Sequence, residues 1–533
     1  MSQDARRSEE QATERRSQIL SMAYFNTSAP GDKTLYHEIL TVAELYKLRV
    51  IPLAADAHNI HFGVTNTTSQ QTMQALRGRF LDQRINFALI SDTGYNDFMK
   101  LYDPPKQIIY EDVSFSGDSD SELFQKVTDT LNTVLADDIL GYLVKQTYQL
   151  KGSDIHLECQ KEAIRVRIRV DGVLHPIANI SHEKYRQVLS SIAVAANVST
   201  GSPDAQTGHI SKKYKLATEE EVTVNLRVET VPVVYGIDVV MRLFNFKLEF
   251  LKLDNLGLSE KERVAVDDVI KHPTGLVLVV GPTGSGKTTT LYSIINTLNT
   301  TERKIITLED PVEYFMPGVV QIPVEGDHNK LGFAEKLRAV LRLDPDIVMV
   351  GEIRDQDTAK TALQASLTGH LVLSTFHASS AVAALARMVD MIGVNPLFAS
   401  AIHLVMAQRL VRRLDPETRQ PYHPDANLKM QLQTVIDTLP PGWNRPSLDD
   451  VTLYTPGSSV EVPFGYKGQI AIREQFVMTP GVQDLLRRPL GSVTIDMLEE
   501  AAINDGMLTM LQDGILKSIA GITTIEEVYR VVS

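Results

Sequence analysis

Residues 281–288 read Gly-Pro-Thr-Gly-Ser-Gly-Lys-Thr, a match to G-x-x-x-x-G-K-[ST]. Glycines in such a loop let successive backbone N–H groups curl around phosphate oxygens, and a helix opening at the lysine adds favourable dipole potential. Lys287 would reach the β- and γ-phosphates of a bound nucleotide, and the Thr288 hydroxyl would ligate Mg²⁺. The expected binding set is Gly281, Pro282, Thr283, Gly284, Ser285, Gly286, Lys287, Thr288 and Thr289. An apolar run, Leu276–Val280, precedes the loop and a helical pattern follows it. A mere glycine-rich turn would not need that context.

Hydrolysis asks for more: a group that positions water, and positive charge on the transferring phosphoryl group. The run Ile347–Val350 leads through Gly351 to Glu352, a carboxylate at a strand end that could orient water near Mg²⁺. Glu309 and Asp310 end a neighbouring run and Glu313 follows; one of these acids is expected to reach the metal through water, with helix capping as the alternative for Asp310. His370 and His377 bracket another run, seven residues apart. An odd separation puts them on opposite faces of a strand, so they need not share one task. His377, at the carboxyl end, is the candidate γ-phosphate sensor, while His370 is equally a hydrogen-bonded structural residue.

These groups need a scaffold. Short apolar runs at Leu276–Val280, Lys304–Leu308, Ile347–Val350 and His370–Thr375, each followed by polar residues and a helical stretch, predict a parallel sheet covered on both faces. Ligands of such sheets sit beyond the carboxyl ends of the strands. Upstream, Ile164, Val166, Ile168 and Val170 alternate with Arg165, Arg167 and Arg169, a half-buried strand with a basic outer face, and Asp171-Gly172 offers a hairpin turn. Val222, Val224, Leu226 and Val228 alternate again. Before these lies a small α/β module, with a helix expected over Ser69–Phe80 and a polar linker at Ser114–Ser121. The resulting division is 1–18 flexible tail or frayed helix, 19–113 N-terminal α/β domain, 122–250 second α/β domain, 256–414 nucleotide-binding core, 415–464 Pro-rich insertion and 465–533 C-terminal subdomain. The insertion reads as irregular, and Thr523-x-x-Glu526 as a capping box for the last helix.

Composition narrows the alternatives. A chain of 533 residues should hold about three or four domains. Its 43% hydrophobic and 22% charged residues argue against disorder or a fibre. A net charge of −13 disfavours a whole-surface nucleic-acid binder. One cysteine, Cys159, rules out an internal disulfide framework and any zinc site built of several thiolates. No apolar run approaches the roughly 18 residues a bilayer span needs, and the mixed charges of the first 18 residues resemble neither a signal nor a transit peptide. A soluble, cytoplasmic protein is expected.

Four segments together, GPTGSGKTTT, TLEDPVEY, LRLDPDIVMVGEIRD and TGHLVLSTFHA, resemble the motif boxes of the secretion-superfamily ATPases that drive type II secretion and type IV pilus assembly. The likeness extends to SDIHLE, RVRIRVDGVL and LRVETVPVVYGIDVVMRL upstream and to AQRLVRRL, GYKGQIAIRE and GITTIEEV downstream, covering the chain from about Lys151 to its end. It implies an α/β fold: a RecA-like P-loop domain, a strand-rich α/β domain upstream, a small N-terminal α/β domain and a helical C-terminal region. It implies a homohexamer that hydrolyses ATP with Mg²⁺ and turns an inner-membrane platform protein, lying at the inner face of the cell membrane. Carried over residue by residue, Glu352 is the catalytic carboxylate, Glu309 belongs to the acidic box, and His370 and His377 to the histidine box. Arg227 and Arg242 match paired arginines that the upstream domain directs at the phosphates. Read without the family, Arg227 is only the polar face of a strand.

Two departures qualify the resemblance. Where secretion-type relatives carry paired Cys-x-x-Cys motifs for zinc, this chain reads Asp415-Pro-Glu-Thr418 and no zinc site is expected. Where relatives often carry a basic Arg-Arg segment, it has Gly201 to His209. Length favours pilus assembly over retraction, and the missing cysteines lean toward a pilus over a secretion apparatus. The competing readings are a DNA-translocating motor using Arg165, Arg167 and Arg169, although no nucleic acid is expected as partner, and a nucleotide-binding scaffold without turnover.

Overall fold

A computed structural model of the chain describes residues 3–27, 34–103, 120–134, 136–215, 221–244, 251–324, 332–393, 398–459, 462–488 and 492–532. They fall into two compact units, Met1–Glu111 and Asp112–Ser533. Most of the polar stretch Ser114–Ser121 lies outside the described residues.

The first unit runs α1 (Gln3–Ile19), β1 (Ala23–Tyr24), α2 (Val42–Leu48), β2 (Val50–Ala55), β3 (Asn59–Val64), α3 (Gln70–Arg79), β4 (Arg84–Leu89) and α4 (Asp92–Tyr102). The strands form one sheet in the order β1-β4-β3-β2 around a core of Ile60, Phe62, Leu76, Tyr95 and Phe98. The opening residues, expected as a flexible tail or frayed helix, are instead a docked helix. Its fastening is polar, which is why no apolar stripe announced it. Buried Glu10 accepts hydrogen bonds from Tyr24 (2.6 Å), Thr27 (2.7 Å) and Ser91 (2.8 Å), and Arg6 pairs with Asp97 at 2.7 Å. A buried carboxylate is tolerable when its oxygens are satisfied in this way.

The second unit opens with α5 (Asp120–Thr133) and α6 (Ala136–Gln149), then β5 (Asp154–Cys159), β6 (Ile164–Val170), β7 (Val173–Ile180), α7 (His182–Ala196), β8 (Gln206–Lys215), β9 (Glu221–Val233) and β10 (Gly236–Phe244). The six strands pair antiparallel in the order β7-β6-β5-β10-β9-β8. Along β6 the apolar residues are buried and the arginines half-buried, the alternation that a one-sided core demands.

There follow α8 (Glu260–Val269), β11 (Gly275–Val280), α9 (Lys287–Leu298), β12 (Ile305–Glu309), β13 (Val320–Pro323), α10 (Phe333–Val340), β14 (Ile347–Val350), α11 (Gln356–Leu367), β15 (Leu371–Phe376), α12 (Ala381–Ile392), α13 (Phe398–Ala401) and β16 (Ile402–Leu414). With β19 (Tyr466–Val477) they build a seven-stranded sheet, β13-β12-β14-β15-β11-β16-β19, parallel except for the last pair. Every residue of β11 is buried: Leu276, Leu278 and Val280 enter one apolar cluster, Val277 and Val279 the other. Burial on both faces explains the continuous apolar runs.

The Pro-rich insertion is more regular than expected. It holds a strand pair, β17 (Gln420–Tyr422) with β18 (Leu453–Thr455), and α14 (Ala426–Asp437), capped by Asp425. Prolines flank the helix without interrupting it, and Leu432 and Ile436, one turn apart, face Leu508, Ile515 and Ile525 in an apolar core. The last helices are α15 (Pro480–Leu486), α16 (Ile495–Asn504), α17 (Met510–Ile519) and α18 (Ile525–Val532). The cap of α18 sits one residue later than expected: Thr524 accepts from the Glu527 N–H at 3.2 Å, while the Thr523 hydroxyl donates to the Arg412 carbonyl at 2.8 Å. Among the described residues no helix is long and apolar enough to cross a membrane.

Candidate functional site

Residues 281–286 connect β11 to α9 at the carboxyl edge of the seven-stranded sheet. Gly281, Gly284 and Gly286 have φ of 150°, 77° and 84°, conformations that side chains resist. A Cβ at Gly281 would lie 2.5 Å from Ser285 Oγ and 2.6 Å from the Gln408 carbonyl oxygen. No side chain caps α9, so its first N–H groups face outward from Gly286. Ser285 Oγ is buried and unpartnered within the loop. Lys287 Nζ donates to the carbonyls of Gly281 and Pro282, both at 2.9 Å, and burial lowers its pKa. A cradle of outward amides, a desolvated lysine and the half-buried Thr288 hydroxyl fit a triphosphate with its magnesium ion.

Gln408 on β16 braces this loop, a role that its place in the AQRLVRRL segment did not reveal. Its Nε2 donates to the Ser285 carbonyl at 2.7 Å and its Oε1 accepts from Thr290 at 3.0 Å. β16 lies beside β11, so the bracing group comes from the adjacent strand.

Glu352, just past β14, is held from two sides: His377 Nε2 lies 2.7 Å from Oε1, and Arg354 Nε donates to Oε2 at 2.6 Å. Arg354 also approaches Asp310, at 3.6 Å. The structure thus joins Glu352, His377 and Asp310 through Arg354, a residue that the sequence did not single out. His370 stays apart, with Nδ1 3.0 Å from the Ala365 carbonyl. Glu309 is buried, with Tyr292, Thr307 (2.5 Å) and Gln321 (3.1 Å) all donating to its carboxylate. Burial raises the pKa of Glu313, and the charges of Arg242 and Arg227 act against that rise.

Arg227 and Arg242 are directly opposite each other on β9 and β10 and so share one face of the six-stranded sheet. Arg227 Nε donates to Glu229 at 2.7 Å, and Arg242 Nε donates to Asp154 at 2.8 Å. The charges of both arginines act on Glu313, which follows β12. Arg165 and Arg167, by contrast, both bond to Glu158 on the neighbouring strand, Arg165 at 2.8 Å.

A family model described as Type II/IV secretion system protein matches residues 132–530. The chain is 39% identical over 412 residues to type II secretion system protein E of Pseudomonas aeruginosa, covering 77% of each. It is 35% identical over 480 residues to putative type II secretion system protein E of Escherichia coli K12, covering 87% of this chain and 89% of the relative. Among solved structures, the ATPase DotB of Legionella pneumophila superposes with a TM-score of 0.54 at 22% identity, over 75% of this chain and 96% of that one, a likeness of fold. With its RecA-like P-loop core beside a strand-rich α/β domain, the chain belongs to the type II/IV secretion system protein family.

Proposed function

We propose that this protein is a secretion-system motor ATPase, working as a homohexamer that turns an inner-membrane platform protein to assemble a pilus-like filament. What supports the ATPase reading is the P-loop at the carboxyl edge of the parallel sheet, with Glu352 clasped by His377 and Arg354 just past a strand of that sheet; Arg227 and Arg242, side by side on the six-stranded sheet, would supply the positive charge. The outward amides and Lys287 hold the phosphates, and Thr288 would hold Mg²⁺. The ion, when bound, neutralises charge on the phosphate oxygens. Glu352, released from Arg354, orients the attacking water; His377 donates a hydrogen bond near the γ-phosphate; the two arginines stabilise the charge of the transition state.

The relatives are named for type II secretion, which supports a secretion machine against the lean toward a pilus drawn from the missing cysteines. The domain arrangement proposed is that of the sequence reading, with the segment before α1's end counted as part of the N-terminal domain. With no membrane-crossing helix among the described residues, the motor would sit at the inner face of the membrane through its partner. The DNA-motor reading loses its support, because Arg165 and Arg167 are spent on Glu158 rather than left as a track for a backbone. The test is Mg²⁺-dependent ATP turnover by the full chain, alone and with its platform protein. Turnover that vanishes in Glu352→Gln supports the motor; nucleotide binding with no turnover under either condition would make it a scaffold.

A further inference from the structure

Asp154 opens β5 as the cross-strand partner of Arg242 on β10 and of Arg169 on β6, while Arg242 faces Arg227 on β9. Directly opposed residues share a sheet face, so Arg227, Arg242, Asp154 and Arg169 form one row across four strands. The row holds three cations and a single acid. That acid is also its most sheltered member: the Asp154 side chain is 4% exposed, the Arg242 side chain 57%. Both Asp154 oxygens are engaged. Oδ1 accepts from Arg242 Nε at 2.8 Å; Oδ2 accepts from Ser153 Oγ at 2.7 Å and lies 3.5 Å from Arg169 Nε.

Bonding through Nε matters for direction. An arginine held at Nε by a buried carboxylate has its guanidinium plane fixed while its terminal nitrogens stay available to a second anion. Arg242 is therefore gripped at its Nε by a buried acid, while its side chain remains 57% exposed. Like charge from Arg227 and Arg169 would otherwise push a long exposed side chain aside, and the buried acid offsets that push.

From this geometry we infer that Asp154 is a positioning residue for phosphoryl transfer, aiming Arg242 at the nucleotide without touching it. The inference rests on the reading of Arg242 as a transition-state arginine. Asp154→Asn keeps the size of the side chain and removes its charge. Because the hydrogen bond to Arg242 is charge-assisted, kcat for ATP is expected to fall about tenfold or more, with KM changed less than about twofold. In an Arg242→Lys background, which lacks the Nε donor, the same substitution should lower kcat by less than about twofold. Elution volume and melting temperature of the full chain report whether fold and assembly survive.

An unchanged kcat in Asp154→Asn, or an equal loss in both backgrounds, would overturn the inference. So would a loss of kcat matched by a collapse in melting temperature, which marks a merely structural carboxylate. If Arg242→Ala itself retains full turnover, the arginine reading fails and the inference fails with it. If Arg242→Ala is inactive while Asp154→Asn is not impaired, only the inference fails.

Discussion

The two halves of the proposed site are aimed by different means. At the edge of the seven-stranded sheet the proposed phosphate-binding groups are backbone amides, held by three glycines at positive φ and by Gln408 from the next strand. On the six-stranded sheet the working groups are long side chains, aimed by carboxylates: Glu229 for Arg227 and Asp154 for Arg242. A backbone cradle is preorganised and resists change, whereas an arginine on an ion pair can exchange one anion for another as the site opens and closes. One half is suited to hold the nucleotide and the other to respond to it. Glu352 sits between these extremes, clasped by His377 and Arg354 but free to trade both for water.

The sharpest way to break this contrast is to remove chemistry while sparing both forms of aiming. Glu352→Gln should cut kcat for ATP by about 10² or more and leave ATP affinity within about threefold, measured by steady-state turnover and by titration. A large loss of affinity would mean that Glu352 organises the cradle rather than the water. Next, Gly281→Ala should damage the cradle alone. Its Cβ would meet Ser285 Oγ at 2.5 Å and the Gln408 carbonyl at 2.6 Å, at a φ of 150°. ATP affinity should fall about tenfold or more, the strain being of order 1–3 kcal/mol. Retained affinity would show that the loop is not as tightly fixed as its contacts imply.

Away from the site, Glu527 marks where ion pairing serves stability instead of response. Burial alone would raise its pKa, but hydrogen bonds from Arg530 and Arg412 hold it down to about 2. A folded pKa below the ordinary 4.5 means stability present above pH 4.5 and lost as pH falls toward 2. Glu527→Gln should therefore lower stability at neutral pH by about 3 kcal/mol, read by denaturant melts. The gap to wild type should close in acid; a gap independent of pH would contradict the pairing. The smallest effect belongs to Glu313, whose pKa burial raises despite Arg242 and Arg227. A raised carboxyl contributes fully below its unfolded value and loses that contribution as pH rises through the folded one. Glu313→Gln should thus match wild type near pH 4 and melt slightly higher at neutral pH. A lower melting temperature at neutral pH would mean that its arginine partners outweigh burial.

The same contrast explains what the sequence disclosed. A backbone cradle needs glycines at fixed neighbouring positions, so Gly281, Gly284, Gly286 and Lys287 stand together and can be read directly. Covered parallel strands need unbroken apolar runs, so β11, β12, β14 and β15 emerged with their ends nearly placed. Side-chain aiming leaves no such local mark. Asp154 meets Arg242 across 88 positions, and only strand register brings them together. Arg354 carries no local mark of its pairing with Glu352, and the partners of Gln408, Ser285 and Thr290, lie more than a hundred residues earlier. The docking of helix α1, expected as a tail or a frayed helix, escaped notice for a related reason, since Glu10 rather than an apolar stripe holds it. The insertion was misjudged because proline density hid the single amphipathic turn of Leu432 and Ile436.

The most direct test of the account compares ATP affinity and kcat in the double variant Arg227→Ala/Arg242→Ala with those of the wild-type chain. The account predicts affinity within a few-fold of wild type and a fall in kcat approaching the roughly 10³-fold or greater contribution of arginine fingers in other NTPases. Full turnover in that variant would contradict it, because the six-stranded sheet would then have no part in the chemistry.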